Sequence, residues 1–225
     1  MGGLGVGIVY SSVLERFFAK HGQAVDFIAI DPAYLAGAPS QAASEGLASL
    51  HARVAALDVL ADRYPLVAHG VGDLEPVARW HGRYDFRWAS VLPPRDHDDA
   101  DGLIERLARM QRQLGCRVVL GHPSRPLPGD SCERVDALCR ATGCGLRLDL
   151  HELHVHAALR GREPEDMLTA SELEHVAEIH IGAPVSAARW RSLASLLPRC
   201  PRLRGVVVSA DDRELARLGD EGIAA

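Results

Sequence analysis

Residues 145–150 read Gly-Leu-Arg-Leu-Asp-Leu, and residues 176–181 read Val-Ala-Glu-Ile-His-Ile. Each run predicts a buried strand, because it is short and carries branched apolar side chains at alternate positions or more often. A helix is predicted between them, at residues 164–173. Two strands joined through a helix form the unit from which parallel sheets are built.

The same alternation of strand and helix extends over the whole chain. The predicted strands are residues 3–9, 25–30, 66–68, 86–92, 117–120, 145–150, 176–181 and 204–208. The predicted helices are residues 12–22, 41–61, 74–80, 100–114, 132–141, 164–173, 187–197 and 212–220. Eight such units predict an α/β fold, a compact (β/α)8 TIM barrel that forms a single domain over residues 1–225. An open doubly wound sheet is the competing architecture, and residues 73–94 are the least readable segment.

The composition is that of an ordinary globular chain, with 225 residues, 47% hydrophobic, 24% charged and a net charge of −5. Such an apolar content excludes a disordered chain, and the acidic balance predicts no nucleic-acid partner. No apolar run reaches the roughly 20 residues of a membrane span, and residues 1–10 do not resemble a signal peptide, so no membrane association is expected. The five cysteines contain no Cys-x-x-Cys pair, which is typical of reduced thiols and predicts a cytoplasmic protein.

Residue types that bind metal ions follow several of the predicted strands. Because the active site of a parallel barrel lies at the carboxyl ends of its strands, these residues are expected to converge. They are His69, His122, Asp149, His151, Glu152, Glu178 and His180. Asp149 and His151 are predicted to share one face of the sixth strand, since side chains alternate along a strand. Three imidazoles and one carboxylate suit iron, zinc or manganese, and the set that supplies them is His69, Asp149, His151 and His180.

Four blocks of sequence, in order along the chain, resemble the multinuclear non-heme iron-dependent oxidases, the family that includes the methanobactin-biosynthesis oxidase. The blocks are Gly5-Val-Gly7 with Val25-Asp-Phe-Ile28, His69-Gly-Val-Gly72, the region from Leu114 through Thr142-Gly-Cys-Gly-Leu-Arg-Leu-Asp149 to Met167-Leu168, and Glu178-Ile-His-Ile-Gly182. The resemblance implies a xylose-isomerase-like barrel that holds two or three iron ions. It also implies that oxygen is used to modify cysteine or neighbouring residues of a ribosomally synthesised precursor peptide, often with a small partner protein that presents the leader. By position, the resemblance makes His69, Asp149 and His180 iron ligands.

The sequence departs from the family pattern at two motifs. The family's Glu-Asn-Pro corresponds to Gly121-His-Pro123, and its Asp-x-Asn-Asn corresponds to Asp149-Leu-His-Glu152, in a chain that contains no asparagine. Several metal ions in one pocket need several anionic ligands, so these losses predict one or two iron ions, or another divalent metal, in place of a larger cluster. His122, His151 and Glu152 are the candidates that would supplement the three ligands implied by the resemblance.

Three functional hypotheses remain open from the sequence. The first is an iron-dependent oxidoreductase that modifies a peptide. The second is a catalytically degenerate barrel that serves as a binding or scaffold subunit, because the glutamate of the family's Glu-Asn-Pro motif is missing and the third and fourth units are shortened. The third is a divalent-metal sugar isomerase-like enzyme. Metal content separates the second hypothesis from the first, and turnover of small sugars without oxygen would favour the third.

Overall fold

A closed barrel of eight parallel strands forms the centre of the molecule, with the strands in chain order and the last paired to the first. The computed structural model describes residues 5–32, 47–71, 74–92, 100–121, 131–215, 217 and 219. The strands are β1 (Gly5–Val9), β2 (Phe27–Ile30), β3 (Leu66–Val71), β4 (Trp88–Val91), β5 (Arg117–Gly121), β6 (Gly145–Asp149), β7 (Val176–Gly182) and β8 (Gly205–Ser209). The prediction of a (β/α)8 TIM barrel is confirmed, and the open sheet is excluded.

Helices follow the strands and cover the outside of the barrel. They are α1 (Glu15–His21), α2 (Leu47–Ala61), α3 (Leu74–Tyr84), α4 (Ala100–Leu114), α5 (Ser131–Thr142), α6 (Leu150–Arg160), α7 (Ala170–His175) and α8 (Ala187–Leu196). The segment that was hardest to read from sequence thus contains a helix and a strand, α3 and β4. Residues 41–46 lie outside the described residues. Of the last predicted helix, at residues 212–220, the described residues 212–215, 217 and 219 are helical. Within the described part of the chain, no helix is long and apolar enough to cross a membrane.

Two helical segments differ from the sequence prediction. The region predicted as one helix at residues 164–173 is a 3-10 turn, Pro164–Met167, followed by α7. The break occurs at Thr169, which begins α7 with a reciprocal capping box to Glu172. The second difference is α6, which the sequence analysis did not predict. Asp149 caps the start of α6, and Gly161 ends it in the left-handed conformation.

Two aromatic side chains, Phe27 and Trp88, fill the barrel interior near the amino ends of the strands, and we call this pair the aromatic plug. Phe27 packs edge to face against Trp88, with ring centroids 5.1 Å apart. The space for Phe27, which lies on β2, comes from glycines on β1, the next strand, and on β8, the strand beyond it. A Cβ atom at Gly7 would lie 2.2 Å from the Phe27 ring, and one at Gly205 would lie 2.6 Å from it. The Phe27 ring therefore fills the volume that side chains at these two glycine positions would otherwise occupy.

A β-bulge in β7 sets the orientation of the residues above this plug. The register between β6 and β7 shifts between the pairs Leu146–Val176 and Arg147–Glu178, which leaves Ala177 as the extra residue. Ala177 packs inside the barrel with the aromatic plug. Glu178 also faces the interior, where it accepts a hydrogen bond from Trp88. From Glu178 onward, alternate residues of β7 point inward, while Ile179 packs into the layer between strands and helices.

The aromatic plug generates a prediction for Gly7→Ala. We expect this variant to lose about 1–3 kcal/mol of unfolding free energy, because the new methyl group overlaps a buried ring that has little room to move. Urea unfolding followed by circular dichroism measures the change.

Gly82→Ala is the matched control, since Gly82 lies in α3 and an added Cβ would meet no atom within 4 Å. We expect this variant to be unchanged or more stable by up to about 1 kcal/mol, because alanine is the better helix former. Equal stability of Gly7→Ala and Gly82→Ala would mean that Phe27 does not depend on the space beside Gly7.

Candidate functional site

A layer of polar side chains lies above the aromatic plug, toward the carboxyl ends of the strands. In a parallel barrel these ends bring together residues that are distant in sequence. Strands β3, β4, β6 and β7 contribute the members, which are His69, Ser90, Arg147, Asp149, Glu178 and His180. We call these six residues the polar layer.

Glu178 is fully buried, with a side chain that is 0% exposed. Its Oε2 atom accepts a hydrogen bond of 2.6 Å from the Trp88 indole N–H. Its Oε1 atom lies 3.3 Å from Nε2 of His69 but has no hydrogen-bond partner. Burial raises the pKa of Glu178, but the His69 imidazole, the Trp88 N–H and the charge of Arg147 outweigh it and hold the pKa below its ordinary value. Glu178 is therefore a buried carboxylate with one oxygen still available to a ligand.

Asp149 and His180 form the second close pair of the layer. Oδ2 of Asp149 lies 2.6 Å from Nδ1 of His180, and Oδ1 accepts the backbone N–H groups of His151 and Glu152 at the start of α6. Burial raises the pKa of Asp149, but the bond to His180 and these backbone N–H groups outweigh it and lower the pKa. A proton on Nδ1 of His180 held by the carboxylate leaves Nε2 as the nitrogen that can bind a ligand.

The two pairs lie side by side, with the His69 and His180 ring centroids 5.1 Å apart. Two imidazoles and a carboxylate are the donor types of non-heme iron sites, and the unpartnered Oε1 of Glu178 faces one of these imidazoles. The donors therefore fit a metal ion in chemical type. They are arranged as two pairs, and among the described residues no group of three or more His, Cys, Asp or Glu side chains already surrounds one common point.

Arg147 adds a positive charge to the polar layer. Its Nη1 atom donates a 3.1 Å hydrogen bond to Ser90 and lies 3.4 Å from Nε2 of His69. The side chain is only 9% exposed, and its Nε atom is buried without a hydrogen-bond partner. Its register neighbour on β7 is Glu178, whose charge it influences through space.

The structure brings three of the six predicted ligands into the polar layer, namely His69, Asp149 and His180. His151 is exposed on the first turn of α6, where Nδ1 lies 2.7 Å from Nη2 of Arg189. The prediction that it shares a strand face with Asp149 is wrong, because the strand ends at Asp149 and a helix begins at Leu150. Glu152 lies half-buried on the same helical turn. His122 lies outside the described residues.

Sequence reasoning left four contributors to this site out of its predicted ligand set. Glu178 was among the metal-binding residue types singled out at the strand ends, but nothing local indicated its contact with His69. Arg147 was visible as a charged residue inside an apolar strand, two positions before Asp149, and this was the signal that could have revealed it.

Trp88 and Ser90 lay in the segment whose strand was hardest to read. Their roles depend on contacts across the barrel, which no local pattern reports.

Solved structures with the same overall fold include two sugar-converting enzymes. A sugar phosphate isomerase/epimerase from Parabacteroides distasonis aligns over 97% of this chain and 90% of its own, with a TM-score of 0.59 and 10% identity. D-Psicose 3-epimerase from Clostridium cellulolyticum aligns over 98% and 97%, with a TM-score of 0.58 and 11% identity. At this identity the likeness shows the TIM-barrel fold alone.

Sequence comparison identifies the family. The UPF0276 protein of Caulobacter vibrioides is 30% identical in an alignment 210 positions long, and the match covers 71% of this chain and 75% of that protein. Residues 80–191 match the family model described as "RiPP precursor modification enzyme MbnB/TglH/ChrH". The chain therefore belongs to the MbnB/TglH/ChrH family, the multinuclear non-heme iron-dependent oxidases.

Proposed function

We propose that this protein is an iron-dependent oxidoreductase that modifies a ribosomally synthesised precursor peptide. The observation that carries the proposal is the pairing of two imidazoles from different strands, each beside a carboxylate, in one layer toward the carboxyl ends of the strands. Family membership supplies the reaction class, since the matching model describes RiPP precursor modification enzymes. The substrate residue we propose is a cysteine or its neighbour, and a small partner protein is proposed to present the leader of the peptide.

His69, His180, Asp149 and Glu178 are the residues that we propose to hold the metal. One or two iron ions are expected there, or another divalent metal. Iron bound at such a site supplies redox chemistry with dioxygen. We propose His122 and Glu152 as supplementary ligands. We also propose His151, which would have to break its contact with Arg189 to bind the metal.

The chain's own residues contribute orientation and charge. Asp149 fixes the ring of His180 and leaves Nε2 facing away from the carboxylate, while its other oxygen is held by the helix that follows. Trp88 fixes the Glu178 carboxylate from below and separates it from water together with the aromatic plug. These contacts hold His180 and Glu178 in defined orientations before a cation binds.

One observation favours a second candidate function, a binding or scaffold barrel without a metal. The guanidinium of Arg147 lies 3.4 Å from Nε2 of His69, and a fixed positive charge at this distance disfavours a cation there. The sugar isomerase hypothesis is not proposed, because the structural likeness to such enzymes shows the fold alone.

Metal analysis of protein made in iron-supplemented cells and purified without oxygen tests the proposal. We expect one or two iron ions per chain in the wild type and loss of the metal in His69→Ala and in His180→Ala, since each variant removes a proposed ligand. His156→Ala is the matched control, because His156 lies on α6 away from the polar layer, and it is expected to keep the metal. A folded wild-type protein without stoichiometric metal would favour the scaffold candidate, and equal loss in His156→Ala would contradict the proposed ligand set.

The Asp149–His180 pair also generates a prediction for the metal-free protein. The pKa of Asp149 in the folded protein lies below its ordinary value of 3.8. Its contribution to stability is therefore complete above that ordinary value and is lost as the pH falls through the lower, folded pKa. We expect the stability difference between wild type and Asp149→Asn to be larger at pH 6 than near pH 3, as measured by urea unfolding. Asparagine retains the helix cap, so a difference that is the same at both pH values would show that the charge of Asp149 contributes nothing.

A further inference from the structure

The guanidinium of Arg147 is buried without a counter-ion in direct contact. Among the described residues, its polar contacts are the hydroxyl of Ser90 and the ring nitrogen of His69, and neither group carries a negative charge. No carboxylate oxygen of the described residues lies within ion-pair distance of it, and its Nε–H is buried without an acceptor. Burying a charge with an unused donor is costly unless a ligand completes the arrangement. Arg147 therefore has unused capacity for an anion.

Two glycines among the described residues leave space on the strands next to β6. The register neighbour of Arg147 on β5 is Gly121, which has no side chain to cover the guanidinium. On the other side of β6, at the carboxyl end of β7, an added Cβ at Gly182 would meet no atom of the described residues within 4 Å. No side chain at these two positions therefore blocks a small group that approaches the polar layer.

The charges of the polar layer indicate which anion fits. Asp149 and Glu178 carry one negative charge each, and Arg147 carries one positive charge. With one divalent ion at the proposed site and neutral imidazoles, one positive charge is left over. A single carboxylate neutralises it, whereas a phosphate dianion would bring excess negative charge beside the two carboxylates of the layer.

We infer that Arg147 and Ser90 form a subsite that binds a carboxylate group of the substrate, beside the proposed metal position. The planar guanidinium matches a carboxylate with two parallel N–H donors, and the Ser90 hydroxyl orients the guanidinium from β4. The inference rests on the proposed function for the nature of the substrate. It adds a chemical requirement to that substrate, a carboxylate from a chain end or from an acidic side chain close to the modified residue.

Binding of small carboxylates to the purified protein tests the inference without measuring activity. The protein is used in two forms, metal-free and loaded with zinc. Affinities of the wild type and of all variants are measured by isothermal titration calorimetry, and in proteins that keep Arg147 the NMR signal of its Nε–H shows whether the carboxylate binds there. The probes are N-acetylglycine, whose carboxylate imitates a chain end, N-acetylaspartate with an amidated α-carboxyl group, which imitates an acidic side chain, and uncharged propionamide. We expect both carboxylates to shift the signal and propionamide to leave it unchanged. The carboxylate with the higher affinity identifies the source.

Variants test whether the carboxylates bind at Arg147 itself or are attracted only by positive charge in general. Arg147→Met is expected to weaken carboxylate binding by about tenfold to hundredfold, the loss expected for charge-assisted hydrogen bonds. Ser90→Ala keeps the charge and is expected to weaken binding severalfold, and it serves as a second variant if Arg147→Met fails to fold. Arg117→Met is the matched control, because Arg117 is a half-buried arginine at the opposite, amino end of β5, and it is expected to bind as the wild type does.

The outcomes distinguish this inference from the proposed function. A protein that binds zinc but shows no Arg147-dependent carboxylate binding overturns the inference and leaves the metal site in place. A protein that binds no metal, yet binds N-acetylglycine through Arg147, contradicts the proposed function and supports the carboxylate subsite. Equal weakening in Arg147→Met and Arg117→Met would overturn the subsite, because the effect would then be one of overall charge.

Discussion

The hydrogen bond from Trp88 to Glu178 joins the two halves of the barrel interior, and the rest of the site depends on it. Below the bond, Trp88 packs against Phe27 in the aromatic plug. Above it, the fully buried Glu178 faces His69 and acts through space on Arg147. A carboxylate at this depth needs a donor for each oxygen or a ligand that replaces one. The indole N–H satisfies one oxygen, and the other is the atom that gives the polar layer its capacity to bind.

The barrel could be predicted from sequence because its signals are local. Apolar runs separated by helical patterns repeat along the chain, and each strand and helix can be predicted from its own residues alone. His69, Asp149 and His180 could be predicted for the same reason, since each lies at a strand end and strand ends converge in a barrel. The start of α6 at Leu150 was harder, because Asp149 is both the last strand residue and the helix cap. The bulge at Ala177 and the contacts of Arg147 depend on neighbouring strands, so no pattern within β6 or β7 could reveal them.

The polar layer combines features of a metal site with a charge that most metal sites avoid. Its imidazoles and carboxylates are of the types that hold iron, and the chain belongs to a family of iron-dependent oxidases. Arg147 nevertheless adds a fixed positive charge, so that two carboxylates and one guanidinium are present among the described members. The net negative charge available to balance metal ions is that of a single carboxylate. This balance limits how many cations the described residues can accommodate and gives an anionic substrate group a reason to bind with the metal.

The way Phe27 fills the barrel has a consequence for how this protein can diverge. The ring occupies volume that three glycines on β1 and β8 leave open, Gly5, Gly7 and Gly205. The interior volume is shared among strands, so a larger residue at one glycine requires a smaller one at position 27. Sequence change at these four positions must therefore be concerted, even though they lie far apart along the chain. The large side chain can therefore come from a different strand, provided that the total side-chain volume beneath the polar layer stays the same.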